Sequence, residues 1–319
     1  MPASRMGQVE EYYFSRKLKE IASLSAEGKK VINLGIGSPD QAPDEEVIQT
    51  LIRESSKKEV HGYQSYLGLP ELRQAFSMWY KKYFKVDLNP NNEILPLIGS
   101  KEGIMHISMT YLEPGDEVLV PNPGYPAYSA VAQLTGATLR YYALEESKNW
   151  QADLDLLPKT DLSKVKLMWL NYPNMPTGAP ADMDYFTALV QFAKQYHILL
   201  VNDNPYTFVL NPEKHSLLSV PGAMDVALEL NSLSKAHNLA GWRIGMLAGR
   251  ADYLAEILRF KSNMDSGMFY GVQKAAITAL ELSDAWYENL NKVYSERRKL
   301  AEKVLDLLGC VYANNQVGM

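Results

Sequence analysis

Lys235 is the residue with the most chemistry arranged around it. It stands in Ser232-Leu-Ser234-Lys235-Ala-His-Asn-Leu-Ala-Gly241-Trp-Arg243-Ile-Gly245, directly after an apolar run that reads as a buried strand. An amine in a turn at a strand end can form a Schiff base if desolvation or nearby cations keep it partly neutral. Arg243 supplies such a cation, and its planar fork of donors suits a phosphate. Gly241 and Gly245 let backbone and ligand come close, and the Ser232 and Ser234 hydroxyls add donors.

Other segments carry polar groups at strand ends. Val201-Asn-Asp203-Asn-Pro-Tyr206 closes an apolar run with a carboxylate and a phenol. Leu97-Ile-Gly99-Ser100-Lys101-Glu102-Gly103 reads as a strand entering a helix. The free N–H groups and positive dipole end of such a helix attract phosphate, and Ser100 and Lys101 add a hydroxyl and a charge. Pro121-Asn-Pro123-Gly-Tyr125-Pro is a Pro/Gly turn presenting an aromatic ring. Upstream lie Ile32-Asn-Leu-Gly-Ile-Gly37-Ser-Pro-Asp and Tyr63-Gln-Ser-Tyr-Leu-Gly68-Leu-Pro-Glu-Leu-Arg.

In this order the segments resemble the signature of the pyridoxal-phosphate-dependent class I/II aminotransferases of fold type I. The likeness is nearest to the branch of prokaryotic aspartate and LL-diaminopimelate aminotransferases, and it runs from about Val31 to Gly245 with the flanking helices. The resemblance implies pyridoxal 5'-phosphate held by Lys235, with Ser100, Lys101, Ser232, Ser234 and Arg243 around its phosphate. It implies that Asp203 keeps the pyridine nitrogen protonated, so that the ring is an electron sink. Tyr206 would then donate to the ring's 3′-oxygen, Tyr125 would stack on the ring, and Gly37 would meet the substrate carboxylate. Tyr63 would reach the phosphate of the neighbouring subunit, which implies a homodimer with shared active sites. The implied reaction moves an amino group between an L-amino acid and a 2-oxo acid, with the freed Lys235 carrying the proton. Pro123 falls at a position that is often cis in this family.

The chain departs from that pattern in Asn171-Tyr-Pro-Asn174-Met175-Pro176-Thr177-Gly178. Met175 stands where the family carries an Asn that donates to the cofactor and the substrate carboxylate, and a thioether has no hydrogen to donate. Asn174, one residue earlier, is the candidate substitute. The family also continues past Met319 and there supplies an arginine for the substrate, so the small domain is expected to be cut short. A lyase or decarboxylase on the same fold, or a cofactor-fold protein without turnover, are the alternatives, because a fold does not fix a reaction.

These residues need a sheet to hold them. Short apolar runs at Glu93–Gly99, Glu117–Pro121, Thr138–Leu144, Lys166–Asn171, Ile198–Asn202, Ala227–Leu233 and Gly245–Ala248 predict seven strands. Helical pattern lies between them, at Pro70–Tyr83, Lys101–Tyr111 and Asp182–Gln195, the last with Asp182 as N-cap. The predicted class is α/β: a large domain with a mostly parallel seven-stranded sheet between helices, plus a small α/β domain. Residues 1–45 are assigned to an N-terminal arm and part of the small domain, 46–282 to the large domain, and 283–319 to the start of the small domain's C-terminal part. The 319-residue length suits such a division. A net charge of −5 argues against nucleic acid as a partner. The single cysteine, Cys310, excludes an intrachain disulfide. No signal-peptide core and no run of about 18 apolar residues is present, so a cytoplasmic protein without membrane contact is expected.

Overall fold

The computed structural model describes residues 1–35 and 37–319. All seven predicted strands form: β1 (Ile94–Leu97), β2 (Glu117–Asn122), β3 (Thr138–Ala143), β4 (Val165–Leu170), β5 (Leu199–Asp203), β6 (Ala227–Ser232) and β7 (Gly245–Gly249). They make one sheet in the order β1-β7-β6-β5-β4-β2-β3. β7 runs antiparallel to both of its neighbours, and the remaining pairs are parallel.

Alternation along the strands sends side chains to two separate cores. Met168, Leu170 and Leu200 face a core built with α3 (Pro70–Phe84), α6 (Met183–Tyr196) and α9 (Tyr270–Leu280). Leu167, Trp169 and Val201 face the other, built with α4 (Ser100–Tyr111), α5 (Pro126–Thr135) and α8 (Ala251–Lys261). A sheet buried on both faces explains why the strands read as continuous apolar runs. In α6, Phe186, Leu189, Val190 and Ala193 are fully buried. Asp182 caps that helix as expected, accepting from the Tyr185 N–H at 2.8 Å.

α2 (Glu45–Ser55) packs on α9, and α1 (Tyr13–Ala26) buries none of its residues. The long α10 (Asp284–Leu307) docks its first turns through Tyr287 and Leu290. Trp286 Nε1 donates to the Ala236 carbonyl at 2.9 Å, which ties α10 to the segment bearing Lys235. Every strand among the described residues belongs to the seven-stranded sheet. Upstream of the sheet, Ile32 and Leu34 are exposed, with no ladder partner among the described residues. No helix among them is long and apolar enough to cross a membrane.

Candidate active site

The carboxyl ends of β5 and β6, the α4 N-terminus and the loop before β7 meet at one place. Lys235 lies in α7 (Leu233–Ala236), a single turn started by Ser232, whose Oγ accepts from the Ser234 N–H at 3.1 Å. The two hydroxyls also bond each other at 2.7 Å. Lys235 is half-buried, and its ammonium donates to the Gly37 carbonyl. Burial first, and the Arg243 charge second, hold its pKa below the ordinary lysine value. Its Nζ lies 5.7 Å from the centre of the Tyr206 ring.

Two glycines let the phosphate-side groups crowd together. Gly99 precedes α4 at φ 81°, and the Arg243 guanidinium fills the space where a side chain at Gly99 would stand. A Cβ on Gly245 would come within 2.8 Å of both the Asn231 carbonyl oxygen and the Ser100 N–H nitrogen. Gly245 also pairs with Ser232 in the sheet, so Ser100, Ser232 and Arg243 are brought together. Lys101 presents its ammonium to the Tyr12 ring at 3.9 Å. Although that residue is exposed overall, burial at its ammonium and the charge of Arg243 keep its pKa low. None of Lys101, Lys235 and Arg243 has a carboxylate partner among the described residues. Three uncompensated cations beside a helix N-terminus form a site for an anion.

Asp203 ends β5 on the side facing α5. Tyr128 donates its hydroxyl to Oδ2 at 3.0 Å, and Oδ1 has no partner among the described residues. Ser100 is near enough to lower the Asp203 pKa, but its geometry falls short of a hydrogen bond. Burial dominates and pushes the carboxyl up to about 7. Tyr125 sets its ring edge-on to Tyr128 at 5.5 Å. Tyr125 and Tyr206 are both held protonated by burial. The Asn122–Pro123 bond is cis, as expected.

The Asn171–Gly178 turn meets the backbone end of β5 from the β4 side. Asn171 Nδ2 donates to the Asp203 carbonyl at 2.6 Å, and its Oδ1 accepts from the Met175 N–H at 2.9 Å. Asn174 is buried, its Oδ1 accepting from Thr177 at 2.7 Å while Nδ2 is left without a partner. Met175 is half-buried, and its sulfur packs by Gly318, which also adjoins Tyr206. Tyr63, by contrast, is 94% exposed and touches none of these groups.

Tyr128, Asn171 and Tyr12 were not singled out from the sequence. Tyr128 follows Tyr125 by one helical turn, a spacing that could have marked it. Asn171 acts through its amide at the end of β4, and Tyr12 comes from a distant arm. Neither leaves a local signal.

A half-buried amine of lowered pKa, an unpaired carboxylate oxygen and an anion cradle at strand carboxyl ends suit a phosphorylated, nitrogen-bearing ligand on an α/β fold. Residues 29–319 match the aminotransferase class I and II family, and the chain belongs to it. It is 40% identical over 309 residues to LL-diaminopimelate aminotransferase of Aquifex aeolicus, covering 96% of this chain and 80% of that protein. Among solved structures it is similar to apo-BacF from Bacillus subtilis, with a TM-score of 0.92, 33% identity, and 96% of this chain and 78% of that one covered. A probable N-succinyldiaminopimelate aminotransferase from Thermus thermophilus gives a TM-score of 0.85 at 33% identity, covering 92% of this chain and 79% of that one. The protein is therefore an aminotransferase that uses pyridoxal 5'-phosphate and acts on amino and 2-oxo acids.

Proposed function

We propose that Lys235 carries the cofactor covalently and that Asp203, Tyr206, Tyr125, Ser100, Lys101, Ser232, Ser234 and Arg243 surround it in the roles their chemistry suits. The observation that supports this most is the convergence of Lys101 and Arg243, two cations without a carboxylate partner among the described residues, with an unpaired buried carboxylate oxygen. A phosphate answers the first and a protonated ring nitrogen the second. When bound, the cofactor supplies an electron sink that makes the amino acid's Cα proton acidic. Lys235, its pKa lowered by burial, is the base that takes this proton and returns it. Asp203 holds the ring nitrogen's proton, and Tyr206 offers its phenol to the ring oxygen. Gly37 stands beside Lys235, where its backbone can meet the substrate carboxylate. Met175 leaves that side short of one donor, and Asn174, with its free Nδ2, is the nearest amide.

The working unit in this reading is a cytoplasmic homodimer. The exposed Tyr63 supports the dimer, as a residue aimed at a partner's phosphate would be exposed in a single subunit. The exposed free thiol of Cys310 suits a reducing compartment. The division at residues 45 and 282 belongs to the same reading, with α10 leading from the large domain into the small one. The donor is proposed to be a diamino dicarboxylate, on the name of the 40%-identical relative.

The test offers LL-diaminopimelate, aspartate, glutamate and lysine separately to the holoenzyme without an acceptor. The expected result is conversion of the bound aldehyde to the amine form with one equivalent of 2-oxo acid, fastest with LL-diaminopimelate. Carbon dioxide or an elimination product without the amine form would instead mark a decarboxylase or lyase. Absence of any change with all donors would mark a protein without turnover.

A further inference from the structure

Glu229 is a fully buried carboxylate in the middle of the sheet, on β6. Oε1 accepts from the Tyr80 hydroxyl at 3.0 Å and the Ser216 hydroxyl at 2.7 Å. Oε2 accepts from Asn202 Nδ2 at 3.0 Å and the Leu217 N–H at 2.9 Å. No lysine, arginine or histidine among the described residues pairs with it. Four donors and no cation is a costly way to bury a charge for stability alone. Its place in the register is informative. Glu229 pairs with Asn202, and Asp203 with Leu230, so Glu229 lies one step from Asp203 and points to the opposite face of the sheet. Asn202 also accepts the Tyr172 N–H on its Oδ1 at 3.1 Å, which holds the start of the turn carrying Asn174 and Met175.

We propose that Glu229 is a positioning residue for the cofactor site: it fixes β5 and the 171–178 turn through Asn202, and its negative charge strengthens the attraction for a protonated ring nitrogen at Asp203. This rests on the reading that Asp203 meets that nitrogen. Little water separates the two carboxylates, so the field of one reaches the other with weak screening. The groups facing Glu229 are Tyr80 from α3, Asn202 from β5, and Ser216 with Leu217 from the loop after β5. Those facing Asp203 are Tyr128 from α5 and Ser100 from α4, with Tyr125 and Tyr206 nearby. None of them is cationic. Burial raises Glu229 above its ordinary pKa while its four donors favour the charged form, and its charge is the least of the causes acting on Asp203, which it raises.

Glu229→Gln separates charge from scaffold. Its amide oxygen can accept from Asn202 and Leu217, and its NH₂ can donate to the Tyr80 and Ser216 oxygens, so all four contacts survive. The measurement is the dissociation constant of the apoprotein for pyridoxal phosphate and for its 1-deaza analogue, which has no ring nitrogen to protonate. Wild type is expected to prefer the natural cofactor. Glu229→Gln is expected to weaken pyridoxal phosphate roughly tenfold and to leave the analogue nearly unchanged. A purely structural hub would weaken both alike, and an unaltered preference would overturn the proposal. If wild type has no preference, the Asp203 reading itself fails and the proposal falls with it.

Should the variant not fold, infrared spectra of the Asp203→Asn apoprotein decide the same question. Glu54, the other buried acid among the described residues, is paired with Lys57 and held low in pKa. A buried protonated-carboxyl band persisting at pH 8 would therefore belong to a neutral Glu229 and overturn the proposal. Its absence is expected.

Discussion

At Asp203, a carboxyl raised to about 7 by burial is an unfavourable place for a charge until a cation arrives. The sign follows from linkage. The folded state holds this proton up to about pH 7, whereas an unfolded aspartate loses it near 3.9. Between those values the native state binds more protons, so apoprotein stability falls as pH rises and levels off above 7. Asp203→Asn removes that slope. Denaturant titrations at pH 5 and 8 should show wild-type apoprotein losing about 2–3 kcal/mol more than the variant across the interval. Equal losses would mean that Asp203 is not raised. The residues that converge at the candidate site were legible because Lys235, Arg243, Asp203 and Ser100 each stand beside a strand-end or turn signal. Their supports, Tyr128 and Glu229, were not, because each depends on which strands become neighbours.

Among the elements, the loop into α4 depends on the absence of two side chains. All seven strands and the helices α3, α4 and α6 were legible from period and punctuation, with ends off by a residue or two, whereas α5, which links the parallel pair β2 and β3, was not. The meeting of α4 with β7 was not, since β7 pairs antiparallel beside β1 across a long stretch of sequence. Gly99 shows the consequence. A methyl group there would meet both a left-handed backbone and the Arg243 guanidinium. Gly99→Ala should cost about 1–3 kcal/mol in backbone strain and displace Arg243. Phosphate affinity of the apoprotein, measured with inorganic phosphate, should fall with stability. A variant with lowered stability and unchanged phosphate affinity would place the anion elsewhere.

For the whole molecule, the sheet and its two helical layers form within one chain, but the proposed site needs a second copy. Tyr63 and Lys235 would then act on the same cofactor from different subunits, which makes a hybrid dimer informative. Joining a Lys235→Ala subunit to a Tyr63→Ala subunit puts both lesions in one site and leaves the other site intact. Activity in the hybrid should exceed that of either parent homodimer. No recovery would show that each subunit builds its site alone. That dependence could be suspected from the Tyr63 motif, but a single subunit shows it only as an exposed ring. Beneath all of these readings lies the assignment of the cofactor to one lysine, and the intact holoenzyme can report it directly. Borohydride reduction followed by peptide mapping should place the phosphopyridoxyl group on Lys235, with loss of the visible absorbance band. An adduct on Lys101 or on any other lysine would contradict the site described here.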